Sequence, residues 1–334
     1  MRIAIPDEQG VGGQVERRVG LAPREVGALV RSGHAVVVQT GAGEGAGFAD
    51  AEYEEAGARV VHRRAEVLIG AELVLCLGWL HPDEVGLLDA GAQVLSLGWL
   101  EMAPPAVRRA FQEAGVRYRS AHGFQDDTGA WPVIAAMSRI CGMLAPQIAA
   151  RMLESTGPGR VGVLLGRLPG VAPAEVAILG GGTLGFHAAR AFAGIGASVH
   201  LLDPDPARLE AIADALPPNV ITMHSTPSTI ARSLSFANVL IGAARVPDQR
   251  APLLVRETQV RQMRQGSAIL DFSISEGGCV ETSRPIASPD DVYAVHGVQH
   301  FAMPNVASLV ARTATKQLSQ TLLPFVRQIA GGAA

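Results

Sequence analysis

Residues 176–185 read Val-Ala-Ile-Leu-Gly-Gly-Gly-Thr-Leu-Gly, in which a buried-strand pattern leads directly into the spacing Gly-x-Gly-x-x-Gly. When such a turn joins a strand to a helix, Gly180 permits the tight turn, Gly182 lets a pyrophosphate approach the backbone, and Gly185 lets the helix pack closely on the strand. The helix expected to follow would point its unpaired N–H groups and the positive end of its dipole at the phosphates. The stretch therefore predicts a Rossmann-type dinucleotide site.

An acidic residue ends the next predicted strand. The strand at 199–202 is followed by Asp203, which lies 18 residues after Gly185. A carboxylate at this position hydrogen-bonds the ribose hydroxyls of NAD and repels the 2′-phosphate of NADP. The order of strand, glycine turn, helix, strand and terminal Asp therefore predicts NAD as the cofactor.

The composition favours a cytoplasmic globular protein. Its 334 residues are about twice a typical domain, so we expect two domains. The net charge of -3 gives no attraction to nucleic acid or to an anionic membrane. Three well-separated cysteines without zinc spacing indicate reduced thiols and no metal site. The first residues lack a signal-peptide pattern, and we expect no apolar run near the roughly 18 residues that span a bilayer.

The order of apolar runs predicts an α/β fold with two Rossmann-like domains, each built on a parallel sheet. Strands are predicted at 3–6, 35–39, 73–77, 94–97, 176–179, 199–202, 221–223, 239–241, 268–271 and 292–295. A long helix near 133–154 and a connector at 155–173 lead into the second series. Because the tail at 308–329 is helical again, we expect it to return to the first domain. The prediction is a substrate domain of residues 1–131 and 306–334, with an NAD-binding domain of residues 132–305 inserted in it.

Collinear motifs along the whole chain resemble the alanine dehydrogenase branch of the alanine dehydrogenase and pyridine nucleotide transhydrogenase family. Residues 16–23 resemble the family's N-R-V-A-L-T-P signature, and residues 40–45 match its T-G-A-G-E-G motif. Residues 163–166 match the connector, and residues 277–285 match the Gly-Gly-Cys and Glu-Thr-Ser-Arg-Pro segments. The resemblance implies a homo-oligomer, hexameric or dimeric. The cofactor-binding residues predicted from the fingerprint and from the resemblance are Ser138, Gly180, Gly182, Thr183, Leu184, Gly185, Asp203, Ala243, Arg245, Ser275 and Asn305.

The family's reaction is reversible oxidative deamination, in which a hydride leaves the α-carbon of an amino acid for NAD and water resolves the imine. The resemblance implies that an Arg and a Lys hold the substrate, a His is the acid/base and an Asp lies near the nicotinamide. Arg18 matches the Arg. The other three positions align with Gly78, Leu100 and Ser275, and none of these side chains can transfer a proton as His does or supply the lost charge.

Several residues could take over the lost roles, and each has a structural alternative. Glu101 or His122 could be the acid/base, or they could be a solvated loop carboxylate and a structural His. Arg18 could bind a carboxylate or form a structural ion pair, and Arg245 could contact nicotinamide or face solvent. His81 is expected to start a helix, and Asp271 to cap a turn.

A short repeat, Leu-Gly-Trp-Leu, occurs at 77–80 and 97–100, each time at the end of a predicted strand. Open α/β sheets place their ligands at these strand ends. Trp79 and Trp99, with Gly78 and Leu100, are therefore predicted to line a substrate pocket that favours a bulkier or flatter substrate than alanine. The alternative is two similar turns with no ligand.

Three functions are compatible with these residues. The first is an NAD(H)-dependent oxidoreductase acting on an amino, imino or keto acid other than alanine, with Arg18 on the substrate carboxylate. The second is an enzyme that uses tightly bound NAD for another step, such as a cyclisation or an elimination. The third is an NAD-binding protein whose catalytic site has decayed. In the transhydrogenase branch the NAD(H)-binding component also lacks the His, but residues 277–285 are of the dehydrogenase type.

Overall fold

The computed structural model describes residues 1–8, 15–157, 159–246 and 249–331. The chain divides into two compact units, Met1–Met137 with Ala307–Ala334, and Ser138–Val306. The second unit is thus inserted in the first, as expected from the sequence. Pro158 of the predicted connector, residues 9–14 and 332–334 of the predicted substrate domain and residues 247–248 of the predicted NAD-binding domain lie outside the described residues.

The first unit is built on a parallel sheet of six strands in the order β3-β2-β1-β4-β5-β6. Its strands are β1 Arg2–Ile5, β2 Ala35–Gln39, β3 Arg59–Val61, β4 Leu73–Leu75, β5 Gln93–Ser96 and β6 Arg117–Ser120. Its helices are α1 Pro23–Arg31, α2 Asp50–Glu55, α3 Arg64–Leu68, α4 Pro82–Val85 and α5 Pro105–Ala114. The strand order reverses between β1 and β4, and the carboxyl ends of strands at such a switch point are where open α/β sheets bind ligands.

The C-terminal helix belongs to the first unit. This helix, α11 (Ala311–Ala330), buries Leu318, Leu322 and Val326 along one face. Its Ser319 hydroxyl also accepts a hydrogen bond from the backbone N–H of Ala22, at 2.8 Å. Apolar burial and this buried hydrogen bond together explain why the tail returns to the first unit.

The second unit begins within α6 (Pro132–Leu153) and repeats the same plan with one extra strand. Its sheet order is β12-β13-β11-β10-β7-β8-β9, with the switch point between β7 and β10. The strands are β7 Glu175–Leu179, β8 Ser198–Asp203, β9 Val220–His224, β10 Val239–Gly242, β11 Ala268–Asp271, β12 Tyr293–Val295 and β13 Val298–Phe301. The helices that follow β7, β8, β9 and β10 are α7 Thr183–Gly194, α8 Pro206–Ala215, α9 Pro227–Phe236 and α10 Glu257–Val260. The predicted fold class, two Rossmann-like domains with parallel sheets, is confirmed.

The strands β3, β6 and β13 were not predicted, and one strand pairing differs from the prediction. β3 is a three-residue edge strand, and β6 alternates charged and uncharged residues, so neither has a continuous apolar run. β12 and β13 pair antiparallel, whereas only parallel strands were expected. The reason is a two-residue turn at His296 and Gly297, which both have positive φ (53° and 77°), as a tight hairpin requires.

The expectation that no apolar run reaches membrane-spanning length was wrong for helix α6. By length and composition, its 22 residues are sufficient to cross a bilayer, with a mean hydropathy of 1.4 over the most apolar window. Half of that window is buried inside the protein. The core helix of a globular protein has the same composition, so this observation is weak evidence for a membrane span.

Candidate functional site

The three fingerprint glycines of the second unit have three different environments. Gly180 has φ 108°, and a Cβ atom placed on it would lie 2.5 Å from the carbonyl oxygen of Ala243. A Cβ on Gly185 would lie 1.8 Å from the carbonyl oxygen of Gly180. A Cβ on Gly182, in contrast, would meet no heavy atom within 4 Å. The turn is therefore closed on the strand side and open at Gly182, as a phosphate-binding backbone requires.

The open glycine is also the N-cap of α7, a helix of 12 residues. Gly182 has no side chain that could cap this end, and Gly182 and Thr183 are exposed. An N-terminus of this kind offers N–H groups and a positive partial charge to a phosphate. Leu184 is half-buried one residue further along the helix. Helix α6 packs against the first turn of α7, because a Cβ on Gly142 would lie 2.6 Å from the Leu184 carbonyl oxygen.

Asp203 ends β8 beside this turn, and only 2% of the residue is exposed. Its Oδ2 accepts the Gly181 N–H at 2.6 Å, and its Oδ1 accepts the Asp205 N–H at 2.9 Å. Arg208, from the first turn of α8, donates to both oxygens at 3.3 and 3.2 Å. Arg208 was not predicted as a site residue, although its position five residues after Asp203 was a usable signal. Asp203 is thus held by two backbone N–H groups and by Arg208, whose side chain is about half exposed.

The loops after β10 and β11 carry the other predicted cofactor residues. Ala243 contacts the fingerprint turn, and Arg245, two residues later, forms an ion pair with Glu276, Nε to Oε1 at 3.6 Å. Ser275 is exposed, and its hydroxyl donates to the carbonyl oxygen of Pro304, next to the half-buried Asn305. Ser138 is half-buried on α6, one turn before the glycine that contacts α7.

Asp271 caps the loop that follows β11, which is the structural alternative given for it. Its carboxylate accepts the backbone N–H groups of Ser273, Cys279 and Val280 at 3.1 to 3.2 Å. Burial raises the pKa of Asp271 and outweighs these hydrogen bonds. Since three amides hold the carboxylate, we assign it to loop structure.

In the first unit, the two Leu-Gly-Trp-Leu turns are tied together by hydrogen bonds. The Ser96 hydroxyl donates to the Gly78 carbonyl oxygen at 2.8 Å, and the Gly98 N–H donates to Ser96 Oγ at 3.1 Å. The Tyr118 hydroxyl donates to the Gly98 carbonyl oxygen at 2.8 Å. A Cβ on Gly98 would lie 2.6 Å from the indole Nε1 of Trp79. The repeat therefore fixes the carboxyl ends of β4, β5 and β6 relative to each other.

Glu8, which follows β1, was missed by the sequence analysis. Its two carboxylate oxygens accept the backbone N–H groups of Leu77 and Gly78, at 2.8 and 3.2 Å. Burial raises the pKa of Glu8 to about 7, although these two hydrogen bonds and Arg64 act to lower it. No local signal marks this residue, because the turn that it holds lies some 70 residues away in the chain.

The predicted pocket residues divide into packed and open positions. Trp79 and Leu100 are half-buried and pack on the hydrophobic core of the first unit. Trp99 and His122 are half-buried neighbours, with ring centroids 6.3 Å apart and ring planes tilted by 45°. Glu101 is exposed, in the position of a solvated loop carboxylate. Of the two candidate acid/base residues, His122 is therefore the one that the fold brings next to a pocket Trp.

His81, the other histidine near these turns, is the N-cap of α4. Its Nδ1 accepts the Asp83 N–H at 3.4 Å. It thus begins a helix, as expected from the sequence.

Arg18 is buried and engaged with Glu16, which the sequence analysis did not identify as a site residue. Arg18 Nε donates to Glu16 Oε1 at 2.8 Å, and Nη2 donates to Oε2 at 2.6 Å. Arg18 Nη1 lies 3.4 Å from the sulfur of Met137. Burial acts to raise the pKa of Glu16, but the charge and hydrogen bonds of Arg18 lower it overall. An acidic residue two positions before the Arg was the signal for this pair.

Both halves of the chain match known family models. Residues 4–141 match the model described as alanine dehydrogenase/PNT, N-terminal domain, and residues 145–334 match the corresponding C-terminal domain. Within the described residues, no group of three or more His, Cys, Asp or Glu side chains is arranged to hold a metal ion.

Similar proteins cover nearly the whole chain. An alanine dehydrogenase of Halomonas elongata is 37% identical over 330 residues, which are 99% of this chain and 88% of that protein. One of Staphylococcus saprophyticus is 37% identical over 94% of this chain and 84% of its own length. A solved L-alanine dehydrogenase superposes with a TM-score of 0.92 at 37% identity, covering 99% of this chain and 90% of its own. A transhydrogenase from Sinorhizobium meliloti shares the fold, with a TM-score of 0.84 at 24% identity, covering 99% and 94% of the two chains. With two family models that together span the chain and full-length relatives above 30% identity, the chain belongs to the alanine dehydrogenase/PNT family of NAD(H)-dependent oxidoreductases.

Proposed function

We propose that this protein is an NAD(H)-dependent oxidoreductase that interconverts an amino or imino acid and a 2-oxo acid, with a substrate other than alanine. The proposal is carried by the combination of an intact dinucleotide turn with Gly78, Leu100 and Ser275 at the three positions where the family resemblance implies Lys, His and Asp. The turn keeps the cofactor, while the three replacements remove a cation, an acid/base and a carboxylate from the substrate site.

The residues of the second unit fit NAD. The space above Gly182 and the uncapped N-terminus of α7 would receive the pyrophosphate, and Asp203 would receive the adenosine ribose. Bound NAD supplies a nicotinamide ring that accepts or returns a hydride. The buried carboxylate of Asp203 disfavours a 2′-phosphate, which supports NAD over NADP.

Arg18 is assigned to the substrate carboxylate, and Glu16 to the orientation of Arg18. Glu16 holds the edge of the guanidinium that Nε and Nη2 form, and Nη1 lies beside the sulfur of Met137. Because a buried pair of this kind holds both side chains in one geometry, Arg18 needs little reorganisation to receive an anion.

His122 is assigned as the acid/base in the substrate domain, in preference to Glu101. It lies next to Trp99, whereas Glu101 is exposed to solvent. Trp79 and Leu100 would form an apolar wall, because both already pack on the core of this unit. A wall of indole and leucine accommodates an apolar side chain larger than the methyl group of alanine.

Alanine is the second candidate substrate, because the relatives at 36–37% identity are named alanine dehydrogenase. One experiment separates the two. The purified protein is assayed for NADH oxidation with ammonium and a panel of 2-oxo acids, from pyruvate to branched and aromatic ones, and kcat/KM is compared. The proposal expects a larger oxo acid to exceed pyruvate by at least about tenfold, which is the discrimination that one or two methylene groups give. Pyruvate as the best substrate would establish alanine, and consumption of no oxo acid in the panel would refute both.

A further inference from the structure

The second unit contains an ion pair at the end of its sheet where the nicotinamide is expected. Arg245 lies in the loop after β10, and Glu276 lies in a 3₁₀ turn, Ile274–Glu276, directly after β11. Their side chains approach to 3.6 Å, and about 30% of each is exposed. Charged side chains are mostly exposed in proteins, where they keep the surface soluble. A charged pair that is two-thirds buried at the carboxyl ends of two parallel strands therefore indicates another role.

The strand order places this pair on the nicotinamide side of the fingerprint turn. β7 carries the turn and has β8 on one side and β10, followed by β11, on the other. Asp203, the ribose anchor, ends β8, so the adenosine half of a dinucleotide lies over β8 and the other half extends over β10 and β11. The Ala243 carbonyl oxygen contacts Gly180, and Arg245 follows two residues later. The loops that hold Arg245 and Glu276 are thus continuous with the phosphate site.

The backbone that carries Glu276 is held rigidly. The N–H groups of Glu276 and Gly278 both donate to the carbonyl oxygen of Ser273, at 3.0 and 2.9 Å. The Ser273 hydroxyl donates to the Ala244 carbonyl oxygen at 2.8 Å, which joins the two loops. The Ala251 N–H donates to the Glu276 carbonyl oxygen at 2.9 Å. A functional side chain on such a support is kept in one place.

We infer that Glu276 is a catalytic acid/base at the nicotinamide end of the cofactor domain, and that Arg245 is its positioning residue. This inference rests on the proposed function and adds a proton-transfer group that the family resemblance does not assign. In the oxidative direction, an amino acid, NAD⁺ and water give a 2-oxo acid, ammonium, NADH and a proton. The hydride leaves the α-carbon with its bonding electrons, and ionised Glu276 takes a proton from the water that attacks the substrate imine. Glu276 then returns that proton to the nitrogen, and the remaining hydroxyl proton follows as the C–N bond breaks, so that ammonium leaves and the C=O bond forms. The one proton released overall is the proton that His122 takes from the substrate ammonium before hydride transfer.

The charges around Glu276 suit this role. Burial raises its pKa above the usual range of a glutamate, and Arg245 offsets only part of that effect. The charge of Asp271 acts in the same direction as burial, and Arg250 lies beside Gly277, with Nε 2.9 Å from a Cβ placed there. An acid/base works best when its pKa is close to the working pH, so a raised glutamate pKa favours proton transfer near neutrality.

The first test compares turnover of Glu276→Gln with that of a matched control, Glu281→Gln. Glu281 pairs with Arg256 at 3.7 Å in the same unit but with more exposed side chains, 64% for Arg256 and 43% for Glu281. We expect kcat of Glu276→Gln to fall by about 100-fold or more, with loss of the acidic limb of its pH profile, while Glu281→Gln stays within about twofold. Formate should restore activity to Glu276→Ala. Equal kcat in the Glu276 variants and in the wild type would overturn the inference.

The second test needs no turnover. The nicotinamide ring of NAD⁺ is positively charged and that of NADH is neutral, so ionised Glu276 should favour NAD⁺. We expect the ratio of NAD⁺ to NADH affinity, measured by calorimetry in the wild type, to fall by about fivefold as the pH drops through the pKa of Glu276. Glu276→Gln should show no such change. The same pH response in both proteins places Glu276 away from the ring and overturns the inference.

The two tests also separate this inference from the proposed function. If the wild type consumes none of the oxo acids, the proposed function fails, and the affinity ratio still tests the position of Glu276. If the wild type turns over and neither readout responds to Glu276→Gln, the inference alone fails. Arg245→Leu provides a further check, because a positioning residue should shift the pH profile of kcat with a smaller loss of rate than Glu276→Gln.

Discussion

Arg18 and Glu16 form a bidentate ion pair in which both side chains are nearly buried, at 8% and 11% exposure. Removal of one partner leaves an uncompensated buried charge, which costs about 3 kcal/mol or more. We therefore expect Glu16→Gln to lower the free energy of unfolding by about 3 kcal/mol at pH 7, measured by urea denaturation.

The exposed pair of Arg63 and Glu66, 3.9 Å apart, is the control for this prediction. Glu66→Gln should change the free energy of unfolding by less than about 1 kcal/mol, because exposed pairs contribute little. The pKa of Glu16 is lowered in the folded state, so its contribution is complete above the unfolded pKa and is lost as the pH falls through the folded one. An equal loss in the two variants would show that the Arg18 pair is not buried in solution.

Gly182 and Gly185 should respond differently to the same substitution. Gly185→Ala forces a Cβ against the Gly180 carbonyl oxygen, so it should lower the free energy of unfolding by about 3 kcal/mol. Gly182→Ala meets open space and has an allowed φ of -65°, so the fold should be unaffected. The affinity for NADH should nevertheless fall about tenfold or more, because the new methyl group occupies the space where the pyrophosphate would bind. Fluorescence titration with NADH and thermal melting of both variants check this, and unchanged NADH affinity in Gly182→Ala would contradict it.

The sequence predicted correctly those features of the molecule that depend on residues close together in the chain. Gly180, Gly185 and Asp203 act through spacing along one strand–turn–helix unit, so their environments could be anticipated. Glu8 and Gly78 are joined by a hydrogen bond across 70 residues, and only the sheet brings them together. The burial that raises the pKa of Glu276 likewise depends on loops from two strands. The contacts of titratable groups with residues far away in the chain therefore could not be predicted from the sequence.

The strands show the same division. Central strands such as β10 and β11 are buried on both faces and have continuous apolar sequences, which made them recognisable. The edge strand β6, Arg-Tyr-Arg-Ser, is half exposed and has no apolar run. The hairpin of β12 and β13 depends on His296 having a positive φ, which few residues other than glycine adopt.

Asp203 and Arg208 together should determine the choice between NAD and NADP. Asp203→Ser removes the charge that repels a 2′-phosphate and leaves Arg208, whose guanidinium is 3.2 Å from the present carboxylate, to attract it. We expect the ratio of kcat/KM for NAD over NADP to fall by at least about tenfold. The double variant Asp203→Ser with Arg208→Ala should lose most of the gain with NADP. Retention of the full gain in the double variant would show that Arg208 does not contact the phosphate.

Because of the buried side chain of His300, we expect the protein to lose stability in mild acid. Its ring is fully buried, with Nδ1–H donating to the Val298 carbonyl oxygen at 3.0 Å and Nε2 accepting from the Thr282 hydroxyl at 2.7 Å, so the neutral form is bound. Burial lowers the pKa of His300 from 6.5 to about 4. The unfolded chain therefore binds a proton more readily than the folded one between these pH values, and the free energy of unfolding falls as the pH drops through this window.

The shift corresponds to about 3 kcal/mol by pH 4. His300→Gln keeps a polar side chain without a titrating ring, so its stability should lack this component. We expect urea denaturation from pH 7 to pH 4 to show the wild type losing about 3 kcal/mol more than the variant, with carboxylates contributing equally to both. His62 is exposed, so His62→Gln should follow the wild type across the same range. If the wild type and His300→Gln lose equal amounts of stability over this pH range, burial does not lower the pKa of His300, and the prediction is wrong.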